Sequence, residues 1–233
     1  MHAASICCPP SPVKLWIAVW SREWQLLFRQ LQDLLQPLVY FAMVVMIVPL
    51  GTDPSADVLA RLAPAVVWMA VVLAVVLSLD RLFRDDARDG TLAVLLTAPT
   101  PLWWVLLAKL LAHWLGLGLL LTMAAPLAGA AYGLAAPAVG VLLLTVLAGS
   151  LGLMALGMVA GALTVGVRNG GVLVAIILLP LYVPLLVFGA GAVGAVQSGF
   201  EGGGPVYFVA ALSVLYATLA PPLAAVALRL SYD

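Results

Sequence analysis

The ten basic and ten acidic residues of this chain are unevenly distributed, and seven of them fall between Asp80 and Thr91. Ionised groups are costly inside hydrocarbon, so this charged segment (residues 80–91) must lie in water or against a polar partner. Carboxylate and guanidinium groups at such density form complementary charge pairs with another protein. We therefore predict a docking surface here. An ordinary solvated segment, whose charges pair along a helix, remains the alternative.

A second polar group, Lys109, His113 and Trp114, interrupts a long apolar run. The spacing of Lys109 and His113 places both side chains on one face of a helix. Within a membrane such side chains hydrogen-bond to neighbouring helices or extend toward the polar interface. This group is therefore predicted to make polar contacts inside a helix bundle.

The composition indicates what kind of protein carries these groups. Apolar residues make up 65% of the 233 residues and charged residues 9%, and the mean hydropathy is +1.18. Soluble domains carry about 25% charged residues, so an integral membrane protein is predicted. No nucleophile, base and orienting group recur together, and the only lysines, Lys14 and Lys109, exclude a phosphate-binding P-loop. We expect a non-catalytic chain without a metal site, and any ATP must be hydrolysed by a partner.

Apolar runs predict six transmembrane helices, at residues 37–50, 62–79, 102–131, 138–167, 172–196 and 205–228. The predicted fold class is therefore an all-α membrane protein. The first run is short, so it must recruit residues that precede Pro37 or cross with little tilt. Six crossings leave no room for a globular unit outside the membrane, and residues 13–233 are expected to form a single transmembrane domain.

Residues 13–35 have a different pattern. Trp16, Trp20 and Trp24 recur on one stripe, which is typical of an amphipathic helix. Because indole rings suit the headgroup boundary, we predict that this helix lies flat on the membrane surface before the first span. Residues 1–12 are expected to form a disordered tail, and the adjacent Cys7 and Cys8 match neither a metal nor a redox motif.

The basic residues predict the orientation. All but one fall on the side that carries the charged segment: Lys14, Arg22, Arg29, Arg81, Arg84, Arg88, Arg168 and Arg229, with Lys109 in the third span near it. Only Arg61 falls on the opposite side. The positive-inside rule then predicts that both termini and the charged segment face the cytoplasm.

Glycine and proline residues indicate how the spans pack. Gly157 and Gly161 have the G-x-x-x-G spacing that lets a neighbouring helix approach closely. Pro180 and Pro184 remove backbone donors from the fifth span. They are predicted to kink it and to provide a hinge.

Three motifs together carry a resemblance to a known family. They are R-L-F-R-D-D-x-x-D-G-T at residues 81–91, L-A-K-x-x-A-H-W at 107–114 and A-L-T-V-G-V-R-N-G-G-V-L at 162–173. In this order they resemble the CcmB family, the permease subunits of the bacterial cytochrome c maturation ABC transporter, and the resemblance runs from about Leu15 to Arg229. The family often has a glutamate at the place of Asp80 and another acid at Ala93. The missing second acid could alter one contact with the ATPase.

The resemblance implies an ABC-2-type permease in the bacterial inner membrane, as a homodimer or a heteromer. Its implied partners are a CcmA-type ATPase, a CcmC-type haem-handling membrane protein, a small CcmD-type subunit and a CcmE-type haem chaperone. The implied function is cytochrome c maturation, through haem export or ATP-dependent release of the haem-loaded chaperone. The implied ATPase-coupling residues are Arg81, Phe83, Arg84, Asp85, Asp86, Asp89 and Gly90. No stably bound cofactor and no nucleic acid are expected, and haem is a transient substrate.

Two other functions stay open: an ABC-2-type exporter of another lipophilic substrate, and a non-transporting scaffold that couples the ATPase to the haem-handling subunit. His113 has two interpretations as well, an axial haem ligand or a contact between helices. We favour the helix contact, because polar residues in membrane spans more often join helices than bind cofactors. The W-G-x-x-W-x-W-D signature of the haem handlers is also absent. The L-W-W-V sequence at residues 102–105 does not match it.

Overall fold

The computed structural model describes residues 31–52, 55–82, 101–164 and 170–232. These residues form helices and short connections, with no strand among them. Six helices are long and apolar enough to cross a membrane, which confirms the predicted fold class. They are α1 (Leu31–Gly51), α2 (Ala56–Leu82), α3 (Leu102–Ala131), α4 (Ala136–Thr164), α5 (Gly170–Gln197) and α6 (Gly203–Tyr232).

Two helices extend beyond the apolar runs that predicted them. Helix α1 runs from Leu31 through Pro37, so residues 31–35 belong to the first spanning helix and not to a separate surface helix. The rest of that predicted surface helix and the predicted tail lie outside the described residues. Helix α2 begins at Ala56 rather than at residue 62, with Pro64 inside it. Charged residues such as Asp57 are tolerated in the first turn of a helix, where backbone donors need no partner within the helix. Pro64 lies beyond that turn, so its missing N–H does remove a hydrogen bond within α2.

Alternate connections define the two ends of the bundle. Because consecutive spanning helices run in opposite directions, the α1–α2, α3–α4 and α5–α6 connections lie at one end, which we call the outer end after the predicted orientation. The charged segment follows α2 at the inner end. Its residues 83–91 lie outside the described part of the chain, as do residues 165–169 between α4 and α5.

Two helices stop at the outer end with the same glycine cap. Gly133 and Gly199 have positive φ angles of 83° and 80°, a conformation that favours glycine. Beyond them, the Leu134 N–H bonds to the Gly129 carbonyl at 3.0 Å. The Phe200 N–H likewise bonds to the carbonyl five residues earlier in its own helix, at 2.9 Å. These are the hydrogen bonds of a Schellman cap, so both glycines end their helices at a defined residue.

The core is centred on α4, which packs most extensively against α6 and α5 and also contacts α2 and α3. Halfway along α2, the indole of Trp68 is fully buried between two glycines. A Cβ atom on Gly149 would lie 2.4 Å from Trp68 Cη2, and one on Gly189 would lie 2.1 Å from Trp68 Cζ2. The middle of the bundle therefore closes around a ring that fits only because two neighbouring helices lack side chains there.

Helix α1 is peripheral by comparison. Only 11% of its membrane-spanning residues are buried, and it packs mainly on α2, with few contacts to the second half of α3. Its apolar side chains, Val39, Met43, Met46 and Ile47 among them, are exposed. The α1–α2 hairpin is therefore anchored to the bundle chiefly through α2.

Candidate functional site

The charged segment begins in the last turn of α2, which ends at Leu82. Arg81 lies in that turn. The other predicted docking residues fall outside the described part of the chain: Phe83, Arg84, Asp85, Asp86, Asp89 and Gly90. Their predicted role stays a prediction, but the structure describes what holds the end of α2 from which they extend.

A hydrogen bond joins the inner end of α2 to α3. Ser78 Oγ lies 3.2 Å from His113 Nε2 and donates to the Val75 carbonyl of its own helix at 2.8 Å. Because a serine hydroxyl has a single proton, this arrangement leaves its lone pairs to accept the Nε2 proton of His113. In the tautomer that completes this arrangement, His113 Nε2 carries the proton and donates it to Ser78 Oγ.

The next residue of α2 packs against α4. Leu79 is 2% exposed, and a Cβ atom on Gly157 would lie 1.8 Å from Leu79 Cδ1. The missing side chain at Gly157 therefore lets Leu79 rest against the α4 backbone. Ser78 and Leu79 together fix the inner end of α2 to two different helices, and we call these two contacts the inner clamp.

Helix α3 changes its winding directly after His113. Residues Trp114–Gly118 form one π-helical turn, in which the Leu119 N–H bonds to the Trp114 carbonyl. The Trp114 indole lies along its own helix, since a Cβ atom on Gly118 would be 2.6 Å from Trp114 Cδ1. From there Trp114 Nε1 donates to Ser150 Oγ on α4 at 3.1 Å. Single π turns of this kind occur frequently at functional sites.

These contacts bring some of the predicted residues together and leave others apart. Lys109 is buried, at 7% exposed, one turn before His113 on α3. Gly161 is buried in α4, one turn beyond Gly157. Pro180 and Pro184 both lie inside α5, which is a single helix from Gly170 to Gln197. Their action as a hinge stays a prediction.

The partners of these residues are not evident from the sequence. Ser78 and Ser150 are small hydroxyl residues in apolar runs, and nothing in their own sequence context distinguishes them from other serines. Trp114 with Gly116 and Gly118 offered a better signal, because small residues beside an aromatic ring allow that ring to lie against the helix backbone. Within the described residues no group of three histidine, cysteine or acidic side chains is placed to hold a metal ion.

Comparison with known proteins gives a consistent result across nearly the whole chain. The model of the CcmB protein family matches residues 14–231. A curated relative from Pseudomonas aeruginosa, named Heme exporter protein B, is 44% identical over 91% of this chain and 95% of its own length. Relatives of the same name are 37% identical in Haemophilus influenzae, over 94% of this chain and 99% of their own length, and 40% identical in Escherichia coli K12, over 91% and 97%.

Proposed function

Because the chain belongs to the CcmB protein family, we propose that it is the membrane-spanning permease subunit of a haem exporter that serves cytochrome c maturation. The relatives are named as haem exporters, and the six spanning helices suit a permease. ATP hydrolysis is assigned to a partner of the CcmA type. Haem is then a substrate of the complex and not a resident cofactor of this chain.

The inner clamp is the observation that supports coupling to such an ATPase. A partner that pushes on the charged segment pushes on the last turn of α2. Ser78 and Leu79 connect that end to α3 through His113 and to α4 through Gly157. A force that the ATPase applies to the end of α2 therefore reaches three helices together. A non-catalytic subunit needs such a connection if it is to respond to nucleotide turnover in its partner.

The docking assignment is tested by charge reversal. Replacing Asp85 and Asp86 with lysine should leave the chain inserted in the membrane but release the ATPase on co-purification, because close charge pairs become repulsive at about 1 kcal/mol or more each. The matched control reverses Asp57 and Glu201, two acidic residues at the outer end, and should retain the ATPase. Retention of the ATPase by the Asp85→Lys, Asp86→Lys variant would refute the docking assignment.

We also assign the complex to the bacterial inner membrane, with both termini in the cytoplasm. Arg229 lies in the last turn of α6 at the inner end, and Asp57 and Glu201 lie near the outer connections. A reporter that is active only in the periplasm should be silent when fused after Asp233 and active when inserted at Glu201. The opposite pattern would invert the proposed orientation.

Partners of the CcmC, CcmD and CcmE types complete the proposed assembly. The contact between His113 and Ser78 supports a role for this histidine in joining helices, and we assign the haem iron to these other subunits, with this chain transmitting movement across the membrane. Whether haem crosses within this subunit depends on whether its outer end opens.

A further inference from the structure

Within the α1–α2 hairpin, two prolines near the outer end leave backbone carbonyls without their usual donors. Pro49 in α1 and Pro64 in α2 carry no N–H, so the carbonyls of Val45 and Ala60, each four positions earlier, lose the helical hydrogen bond that they would otherwise accept. In an apolar environment an unsatisfied carbonyl is costly. Both carbonyls are therefore free to accept a donor from outside their own helix.

The structure supplies a donor to each of them from a distant part of the chain. The Tyr132 hydroxyl donates to the Val45 carbonyl at 2.5 Å, and Gln197 Nε2 donates to the Ala60 carbonyl at 2.7 Å. Tyr132 is 4% exposed, and burial raises the pKa of its phenol, so the hydroxyl stays protonated and available to donate. We call these two hydrogen bonds the outer latches.

The two donors occupy equivalent places in the fold. Tyr132 directly precedes the capping glycine Gly133, and Gln197 lies two residues before Gly199. The Schellman cap ends each helix at a fixed residue and so holds the neighbouring side chain at a fixed height. The latches thus join α1 to the end of α3, and α2 to the end of α5.

Helix α2 connects the outer latches to the inner clamp. It has 27 residues, and at 1.5 Å per residue this is about 40 Å of rigid helix. Its inner end leads into the charged segment, and its outer end begins one turn before the latched Ala60. A movement imposed at the charged segment is therefore transmitted along α2 to the place where Gln197 holds it.

We infer that Tyr132 and Gln197 are positioning residues that hold the α1–α2 hairpin closed against the bundle at the outer end, and that movement of α2 during ATP turnover releases the Gln197 latch. This inference rests on the proposed function, because it requires an ATPase that acts on the charged segment. At each latch, a carbonyl freed by proline, that of Val45 or Ala60, is held by a single side-chain hydrogen bond in addition to the packing between the helices. Opening then occurs between α2 and α5.

The first test asks whether Gln197 acts through the proline-freed carbonyl. In the purified complex, Gln197→Leu should lower the melting temperature of this subunit by about 2–4 °C, the shift expected for about 1 kcal/mol in a chain of this size. Pro64→Ala restores the N–H that the Ala60 carbonyl lacks. In the Pro64→Ala background, Gln197→Leu should lower the melting temperature by less than about 1 °C.

The matched control for this cycle is Ser198→Ala. Ser198 Oγ donates to the Gly194 carbonyl of its own helix at 3.0 Å, so removing this hydroxyl leaves both latches in place. Ser198→Ala should therefore lower the melting temperature by the same small amount in the unsubstituted chain and in the Pro64→Ala background. An equal loss from Gln197→Leu in both backgrounds would show that Gln197 acts through packing alone, and it would overturn the latch.

The second test follows opening directly. Cys7 and Cys8 are replaced by serine, and Ala63, which is fully buried in α2 one turn from the latch, becomes the single cysteine. With the complex in lipid nanodiscs, labelling of Ala63→Cys by a membrane-impermeant maleimide should be slow without ATP and faster during turnover. Gln197→Leu should raise the rate without ATP about fivefold, since a loss of 1 kcal/mol corresponds to that factor.

Failure of this inference is distinguishable from failure of the proposed function. If the ATPase co-purifies and hydrolyses ATP while labelling of Ala63→Cys stays constant, the outer end does not open and the inference is wrong, whereas the subunit assignment stands. In that case the chain acts as a force-transmitting scaffold. If the ATPase does not co-purify with the unsubstituted charged segment, the proposed function itself fails.

Discussion

The inner and outer ends of the bundle are held by contacts of different kinds. At the inner end, side chains meet side chains or a bare backbone: Ser78 meets His113, and Leu79 rests on Gly157. At the outer end, Tyr132 and Gln197 instead bond to main-chain carbonyls of the α1–α2 hairpin. The closest contact at the inner end is therefore packing of a side chain on a bare backbone, whereas at the outer end each proline-freed carbonyl is held by one side-chain donor.

This difference indicates which end can move. Loss of close packing removes many dispersion contacts at once, because each buried side chain touches several others. A single hydrogen bond between helices contributes about 0.6 to 1 kcal/mol. A helix bundle driven from its inner end should therefore keep that end together as a unit and open at the outer end. The fully buried Trp68 separates the two ends.

The largest effect is expected from filling the space at the inner clamp. Gly157→Ala places a Cβ atom 1.8 Å from Leu79 Cδ1, and overpacking of this kind costs about 1–3 kcal/mol. The melting temperature of the purified subunit should fall by several degrees, and ATPase association should weaken because the end of α2 is displaced.

Gly140→Ala is the matched control in the same helix. A Cβ atom on Gly140 meets nothing within 4 Å, so this change should be neutral or slightly stabilising, since alanine favours a helix by about 1 kcal/mol over glycine. Equal melting temperatures for the two variants would show that the close approach at Gly157 does not hold α2 in place.

A smaller effect is expected at the outer latch on α1. Tyr132→Phe leaves the Val45 carbonyl without a donor and should lower the free energy of unfolding by about 1 kcal/mol or slightly more. Tyr182→Phe removes a similar hydroxyl bond, to the Leu153 carbonyl at 2.8 Å. That carbonyl lies four positions before Gly157, whose N–H remains available within α4, so Tyr182→Phe should cost less.

Melting temperatures of the two tyrosine variants, measured in one detergent, decide this comparison. We expect the larger fall for Tyr132→Phe although Tyr182 is the more deeply buried residue. If Tyr182→Phe is the more destabilising change, burial of the hydroxyl outweighs the missing donor at Pro49, and the outer latch on α1 contributes little.

Hydropathy was sufficient to predict the six helices, because twenty or so apolar residues in a row have few alternatives to a transmembrane helix. It was less accurate at the outer end of α2, where Asp57 and Arg61 resemble a loop but lie within the helix. The pattern of side chains decides which residues face lipid. It does not indicate how far a helix continues past the hydrocarbon.

The contacts that define the two ends were harder to predict. The G-x-x-x-G spacing drew attention to Gly157, but its neighbour Leu79 is one of many leucines, and only the fold places the two together. The outer latches join residues 87 and 137 positions apart. Proline at positions 49 and 64 indicates that the carbonyls four residues earlier need donors, yet the identity of each donor depends on which helix ends lie beside them.

The smallest effect is expected from removing the contact between His113 and Ser78 at the inner end. If His113 joins helices through Ser78, then His113→Ala should cost about 0.6 kcal/mol of assembly energy, the average for such a bond, which is less than about threefold in the amount of assembled complex. The isolated subunit should bind haem weakly and without a defined axial-ligand spectrum. Ser78→Ala should reproduce the modest loss of cytochrome c maturation, because it removes the partner and keeps the imidazole.

His113→Gln separates the two interpretations of this residue. A glutamine amide retains a donor that can reach Ser78, so maturation should largely recover relative to His113→Ala. Glutamine does not replace histidine as an axial haem ligand, so an axial role would leave His113→Gln as defective as His113→Ala, with Ser78→Ala unaffected. A stoichiometric haem spectrum from the isolated subunit that disappears in both His113 variants would therefore move His113 from the inner clamp to the transport pathway. The contrast between the two ends would then rest on Leu79 and Gly157 alone.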